Sequence, residues 1–129
     1  MTAFLDHLLV PARDKIDAAK LLAEILDVPW STTGVGPFAP VFVNDGLTLD
    51  FDEWPEPVPQ LHCCFRVSES EFDQVLGRIQ GAGIPYRSTV HGPVDHEVAS
   101  HLGGRIVYWN EPDNHVWELL TVSYARNES

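Results

Sequence analysis

An α+β fold built from two copies of one βαβββ unit is what this 129-residue sequence predicts. Two β-rich runs, FLDHLLV at 4–10 and LHCCFRV at 61–67, are each followed at once by apolar residues at helical spacing. Each half then closes on a strand that carries a carboxylate, LTLDF at 47–51 and VWELLTV at 116–122.

The elements follow in order. After the first run, Ile16, Ala19, Leu22, Ala23 and Leu26 mark one face of a helix that stops before Pro29. Short β-type segments with turn residues between them lead to LTLDF, so that module 1 covers about 1–54. Pro55, Pro57 and Pro59 make a short extended connector. Module 2 covers about 60–125, and its helix opens on a capping box, Ser68 with Glu71 three residues on. Phe72, Val75, Leu76 and Ile79 continue that helix until Gly81, Gly83 and Pro85. A unit that cannot bury its own apolar face must pair with a copy, so the two modules are expected to form a single domain over 1–129.

His7 aligns with His62 at an offset of 55 positions and Asp50 with Glu118 at 68, so the second half carries about 13 extra residues. They are placed in 89–104, TVHGPVDHEVASHLGG, where neither periodicity is visible.

Composition narrows the function classes. With 44% apolar and 21% charged residues, four Trp and six Phe, the chain is an ordinary globular one. Its net charge of −11, without a block of Lys and Arg, argues against nucleic acid. No apolar run is long enough for a membrane span, and MTAFLDHLLVPARDK does not read as a secretion signal, so a cytoplasmic address is expected. Cys63 and Cys64 are adjacent and belong to no CxxC pair, and both are expected to be buried thiols.

Side chains alternate along a strand. His62 therefore shares a face with Cys64 and Arg66, while Leu61, Cys63, Phe65 and Val67 turn toward the helix. By the same count Leu47, Leu49 and Phe51 are helix-covered, and Asp50 lies on the face of Thr48 and Asp52. The His and carboxylate positions of both halves thus leave the helix-packed faces. His7, His62 and Glu118, at equivalent places of a repeat, form a candidate site for a divalent metal, with Asp50 as a candidate fourth ligand. Two imidazoles and a carboxylate leave coordination positions open, which suits catalysis on substrate oxygens. His91, His96 and His101 lie in the insertion beside Asp95 and Glu97; His96 and His101 are the weaker candidates for an acid or base, and a solvated loop is the expectation for each. His115 reads as a turn residue, and Tyr108 and Trp109 as core aromatics.

The paired modules, the opening DHLLV with His7, LHCCF with His62, and GGRIVYWNEPDNHVWELLT with Glu118 resemble the vicinal oxygen chelate superfamily over nearly the whole chain. That superfamily includes glyoxalase I, extradiol dioxygenases, fosfomycin resistance enzymes and bleomycin resistance proteins. NEPDNHVWELL is similar to its DPDGH-type turn before the strand with the metal-binding Glu; Glu111 and Asn114 replace that turn's Asp and Gly, and Asn tolerates the left-handed conformation.

The resemblance implies a glyoxalase-like half-barrel cleft, with His7, His62 and Glu118 at the ligand positions of the dioxygenase and fosfomycin branches. Asp50 stands where glyoxalase I has a fourth ligand, a Glu, and bleomycin-binding members lack the triad. It implies a metalloenzyme in which Fe²⁺, Mn²⁺, Zn²⁺, Ni²⁺ or Co²⁺ binds two oxygens of a small substrate and stabilises an enolate-like or oxyanionic intermediate. The reaction would be that of an isomerase, a lyase, an epoxide-opening enzyme or a dioxygenase. A homodimer whose sites combine ligands from both chains is also implied. The alternative is a metal-free, drug-sequestering protein of the bleomycin-resistance type, which the negative charge would suit if the ligand were cationic.

Overall fold

The computed structural model describes residues 2–126. It divides into two compact units, one ending at Pro59 and the next beginning at Gln60, at the end of the proline connector.

The first unit runs β1 (His7–Ala12), α1 (Lys15–Leu26), β2 (Ala39–Asn44) and β3 (Leu47–Glu53). Its sheet has the order β1-β3-β2, with β1 parallel and β2 antiparallel to β3. Helix α1 starts where the Asp14 carboxylate accepts the Asp17 N–H at 3.0 Å, supplying a partner that the first turn lacks. It ends at Asp27, in the left-handed region with φ of 56°, two residues before Pro29. Ala19, Leu22 and Ala23 of α1 are buried, as are Val10 of β1 and Leu49 and Phe51 of β3. Leu49 and Phe51 are therefore core residues, and Thr48, Asp50 and Asp52 fall on the less buried face, as strand alternation requires.

The second unit repeats the pattern with β4 (His62–Arg66), α2 (Glu69–Gly81), β5 (Ile106–Asn110) and β6 (Val116–Leu120), in sheet order β4-β6-β5. Again the first strand is parallel and the third antiparallel to the middle one. Both arms of the capping box are formed: the Glu71 N–H donates to Ser68 Oγ at 3.2 Å and the Ser68 N–H to Glu71 Oε1 at 3.0 Å. Phe72, Val75 and Ile79 of α2 are buried together with Phe65, Val107, Trp117 and Leu119. The turn before β6 places Asn114 at φ of 69°, the left-handed conformation expected of it.

The repeat holds to single-residue register. Leu9 pairs with Asp50 in the first unit, and Cys64 with Glu118 in the second, at equivalent positions of equivalent strands. Where three strands were expected after each helix there are two, and the missing one is reduced to an isolated bridge, Trp30 to Val41 and Arg87 to Tyr108. Pro29 and Pro85, just upstream, each lack a ladder donor and cut these strands short. The inserted segment forms no named strand either, but a bridge from Ala99 to Ile106 stitches it to β5. Its Val90, Ala99 and Leu102 pack on Ile106, Tyr108, Val116 and Leu120.

The Ser68 amide and hydroxyl hold the Glu71 carboxyl below the ordinary carboxylate range. Ser68→Ala is expected to cost about 1 kcal/mol at neutral pH in chemical denaturation. A carboxyl whose pKa is depressed by folding stabilises above its unfolded pKa and loses that contribution as pH falls through the folded value. The gap between wild type and Ser68→Ala should therefore narrow below about pH 4. A gap that stays constant down to pH 2 would show that the Ser68 hydroxyl does not act on the Glu71 carboxyl.

Candidate metal centre

Alternation along β4 turns Phe65 into the core and leaves His62, Cys64 and Arg66 on the other face. Pairing with β6 sets Glu118 opposite Cys64, and pairing of β6 with β5 sets Tyr108 opposite Glu118. The outcome is a carboxyl group only 1% exposed in the middle of a strand. Both of its oxygens have partners: His62 Nε2 lies 2.9 Å from Oε1, and the Tyr124 hydroxyl donates to Oε2 at 2.6 Å. Tyr108 hydrogen-bonds in turn to Tyr124 and Glu118, and the Cys64 thiol to Glu118. Although part of Cys64 stays exposed, partial loss of water around its sulfur, then the charge of Glu118, pushes the thiol up to about 12, which keeps it a neutral donor. Burial and the Glu118 carboxyl likewise raise Tyr124, and burial raises Tyr108.

These partners of Glu118 are an imidazole, two phenols and a thiol, with no Lys or Arg among them. A buried carboxyl without a fixed cation beside it is an environment into which a cation can be drawn. The His62 ring is 43% exposed, so the pair can be approached from solvent. The spacing also fits an ion. Two ligand atoms each about 2.1 Å from one metal, at right angles, lie roughly 3.0 Å apart, against the 2.9 Å between Nε2 and Oε1.

In the first unit His7 sits at the exposed start of β1, its Nδ1 2.8 Å from Asp6 Oδ2. That hydrogen bond, and then the charges of Asp6 and Asp50, raise its pKa. With Nδ1 given to Asp6, Nε2 is the nitrogen left for a ligand, and a carboxylate behind a ligating histidine is a common way to orient the ring. Asp50 is half-buried on β3 across from Leu9, on the sheet face of His7. Within either unit, among the described residues, no three of His, Cys, Asp and Glu gather closely enough to hold an ion. The second unit contributes the pair His62 and Glu118.

The histidines of the insertion stay outside the Glu118 network. His91 and His101 are exposed, and His96, at φ of 53°, sets its ring edge-on to Tyr86 at 4.9 Å. Asp95 serves the loop itself, accepting from the Ser88 N–H and hydroxyl and from the Glu97 N–H.

Two readings of single residues change. Cys64 is exposed where a buried thiol was expected, because it shares the parity of His62 rather than that of Phe65. His115 does lie in the turn before β6, but it is fully buried: its Nδ1 accepts the Leu61 N–H at 2.9 Å, joining the turn to the start of β4. Tyr108 is buried, as a core aromatic should be, yet it also belongs to the Glu118 network, and its parity across from Glu118 was the available signal. Tyr124 was not anticipated; it lies beyond the last strand, where alternation gives no guidance.

No family model and no curated protein sequence matches the chain. Among solved structures, Oxidase ChaP-H2 is 37% identical, with a TM-score of 0.91 over 97% of this chain and 98% of that one. Oxidase ChaP-H1 is 36% identical, with a TM-score of 0.90 over 96% of this chain and 99% of that one. The fosfomycin resistance protein FosX from Mesorhizobium loti shares the fold alone, at 19% identity and a TM-score of 0.72 over 96% of each chain. With its repeated modules, their matching register and these relatives, the chain belongs to the vicinal oxygen chelate superfamily.

Proposed function

We propose that this protein is a divalent-metal-dependent enzyme acting on a small substrate that presents two adjacent oxygens, with His62, Glu118 and His7 as the protein ligands. The observation that carries the proposal is the 2.9 Å approach of His62 Nε2 to the buried Glu118 Oε1, a donor pair at the spacing of neighbouring metal ligands. A bound divalent ion would supply Lewis-acid polarisation of the two substrate oxygens. The chain's own residues do the rest. Tyr124 fixes Oε2 and so leaves Oε1 as the ligand atom, while Tyr108 holds the Tyr124 hydroxyl. The apolar side chains Ile106, Val116 and Leu120 keep water from this face of the sheet. Asp6 orients His7, and Asp50 is the candidate for a fourth ligand.

Among the reactions open to such a site, oxidation is favoured by the likeness to two proteins named oxidases at 37% and 36% identity. Fe²⁺ or Mn²⁺ would serve that chemistry. The metal-free, drug-sequestering alternative requires a Glu118 that never meets a cation. A homodimer with shared sites is part of the proposal, as is a small-molecule partner.

Elemental analysis after gentle purification, followed by oxygen-uptake and turnover assays with catechols, hemithioacetals and α-keto acids, tests the reading. One equivalent of metal per chain is expected. A chain that carries none and takes up none on titration with Mn²⁺, Fe²⁺ or Zn²⁺ sinks it. His62→Ala and His7→Ala should each lose most of the metal with the fold intact by circular dichroism, and full occupancy in either would remove that residue from the ligand set. Mixing His7→Ala with Glu118→Ala chains should restore metal in part if sites are shared between chains; heterodimers that stay empty would contradict sharing.

Tyr124→Phe removes the hydrogen bond to Oε2 and should weaken metal binding by 10- to 100-fold in a competition titration, as outer-shell changes commonly do. Unchanged affinity would mean that Tyr124 does not position Glu118.

A further inference from the structure

The chain has eight Lys and Arg against nineteen Asp and Glu, so an unpaired cation is the rarer object on its surface. Six of the eight are engaged. Arg13 pairs with Glu56, Lys20 with Glu24, and Arg105 with Glu69 and Asp73. Lys15 and Arg87 donate to backbone carbonyls, and Arg78 has a partner too. The remaining two, Arg66 and Arg126, have no hydrogen bond or ion pair among the described residues, and both line the same open pocket of about 690 Å³.

That pocket is built from the second unit alone. Leu102 and Gly103 of the insertion form one side, Val122 and Ser123 after β6 another, with Arg66 at the end of β4. The walls are brought together closely: a Cβ on Gly104 would come within 2.8 Å of the Val122 side chain, and the Arg105 N–H donates to Thr121 Oγ1 at 2.9 Å. Ser123 Oγ accepts the Ala125 N–H, a turn that precedes Arg126. Leu102 and Val122 supply apolar surface beside two guanidinium groups, each able to bind an oxyanion through two parallel N–H donors. Arg66 lies on the face of β4 that carries His62, four residues or about 13 Å along the strand.

We propose that Arg66 and Arg126 form a binding site for the carboxylate or phosphoryl group of a ligand whose apolar body rests on Leu102 and Val122. That this anion is the far end of the molecule whose oxygens meet His62 and Glu118 rests on the metal-enzyme reading above. The substrate class is then narrowed to elongated molecules with paired oxygens at one end and an oxyanion at the other. It also explains why, among the described residues, these two arginines have no carboxylate partner in a chain of net charge −11: such a partner would compete with the ligand's own anion.

The test uses the full chain, stripped of metal by chelation, and three fluorescent probes without vicinal oxygens: 2-naphthoate, 2-naphthyl phosphate and the neutral naphthalene-2-carboxamide. At least one anion should bind more tightly than the carboxamide, and comparison of the two distinguishes carboxylate from phosphoryl recognition. The double variant Arg66→Gln, Arg126→Gln should weaken that anion at least tenfold and leave the carboxamide unchanged, with its circular dichroism that of wild type. His62→Ala should leave anion binding unaltered. Equal binding of all three probes, or anion affinity indifferent to the arginine substitutions, overturns the proposal. Because no metal is present, its failure is distinct from failure of the metal reading, which appears only in metal content and turnover.

Discussion

A carboxyl group in the middle of a strand, 1% exposed, is costly unless every oxygen is matched. Glu118 is matched by His62 on one oxygen and Tyr124 on the other, and Tyr108 and Cys64 complete the shell. Much of the second unit serves that arrangement. The parallel pairing of β4 with β6 puts Cys64 level with Glu118, and the antiparallel pairing of β5 brings Tyr108 to the same rank. Slipping either strand by one residue would send its side chains to the helix-facing side and take from Glu118 the partners that strand supplies, His62 and Cys64 from β4 or Tyr108 from β5. Register here is therefore set by polar satisfaction as well as by the apolar pattern.

The first unit has the same strand order and register but a different chemical filling. Asp50 stands where Glu118 stands, and it is half-buried rather than sealed. His7 is exposed and tied to Asp6 rather than to the carboxylate of its own sheet. The duplicated scaffold thus carries a sealed, fully partnered carboxylate in the second unit and a more open one at the equivalent position of the first.

Most of the fold was legible because it rests on local rules. Helix α1 was marked by the spacing of Ile16 to Leu26 and the stop before Pro29, helix α2 by the Ser68–Glu71 box, and strand alternation alone assigns Leu49, Phe51, Phe65, His62 and Glu118 to their faces. Asn114 was readable from its tolerance of positive φ. Less was legible where contacts are non-local. Tyr124 reaches Glu118 from outside any element, and His115 is buried through a bond to Leu61 that no spacing reveals. The third strand of each unit was overestimated, since β-type composition around Trp30 and Tyr86 does not reveal how little pairing survives next to a proline. Cys64 is the opposite case: parity with His62 already placed it on the open face, and the general tendency of free cysteines toward burial obscured it.

All of this turns on whether the His62–Glu118 pair is a place for an ion. Anomalous diffraction from a crystal of the full chain grown with Mn²⁺ decides that most directly. The account predicts a peak within about 2.3 Å of both His62 Nε2 and Glu118 Oε1, with the Tyr124 hydroxyl still on Oε2. A peak elsewhere, or a His62–Glu118 hydrogen bond that persists with no ion beside it at saturating Mn²⁺, would contradict it.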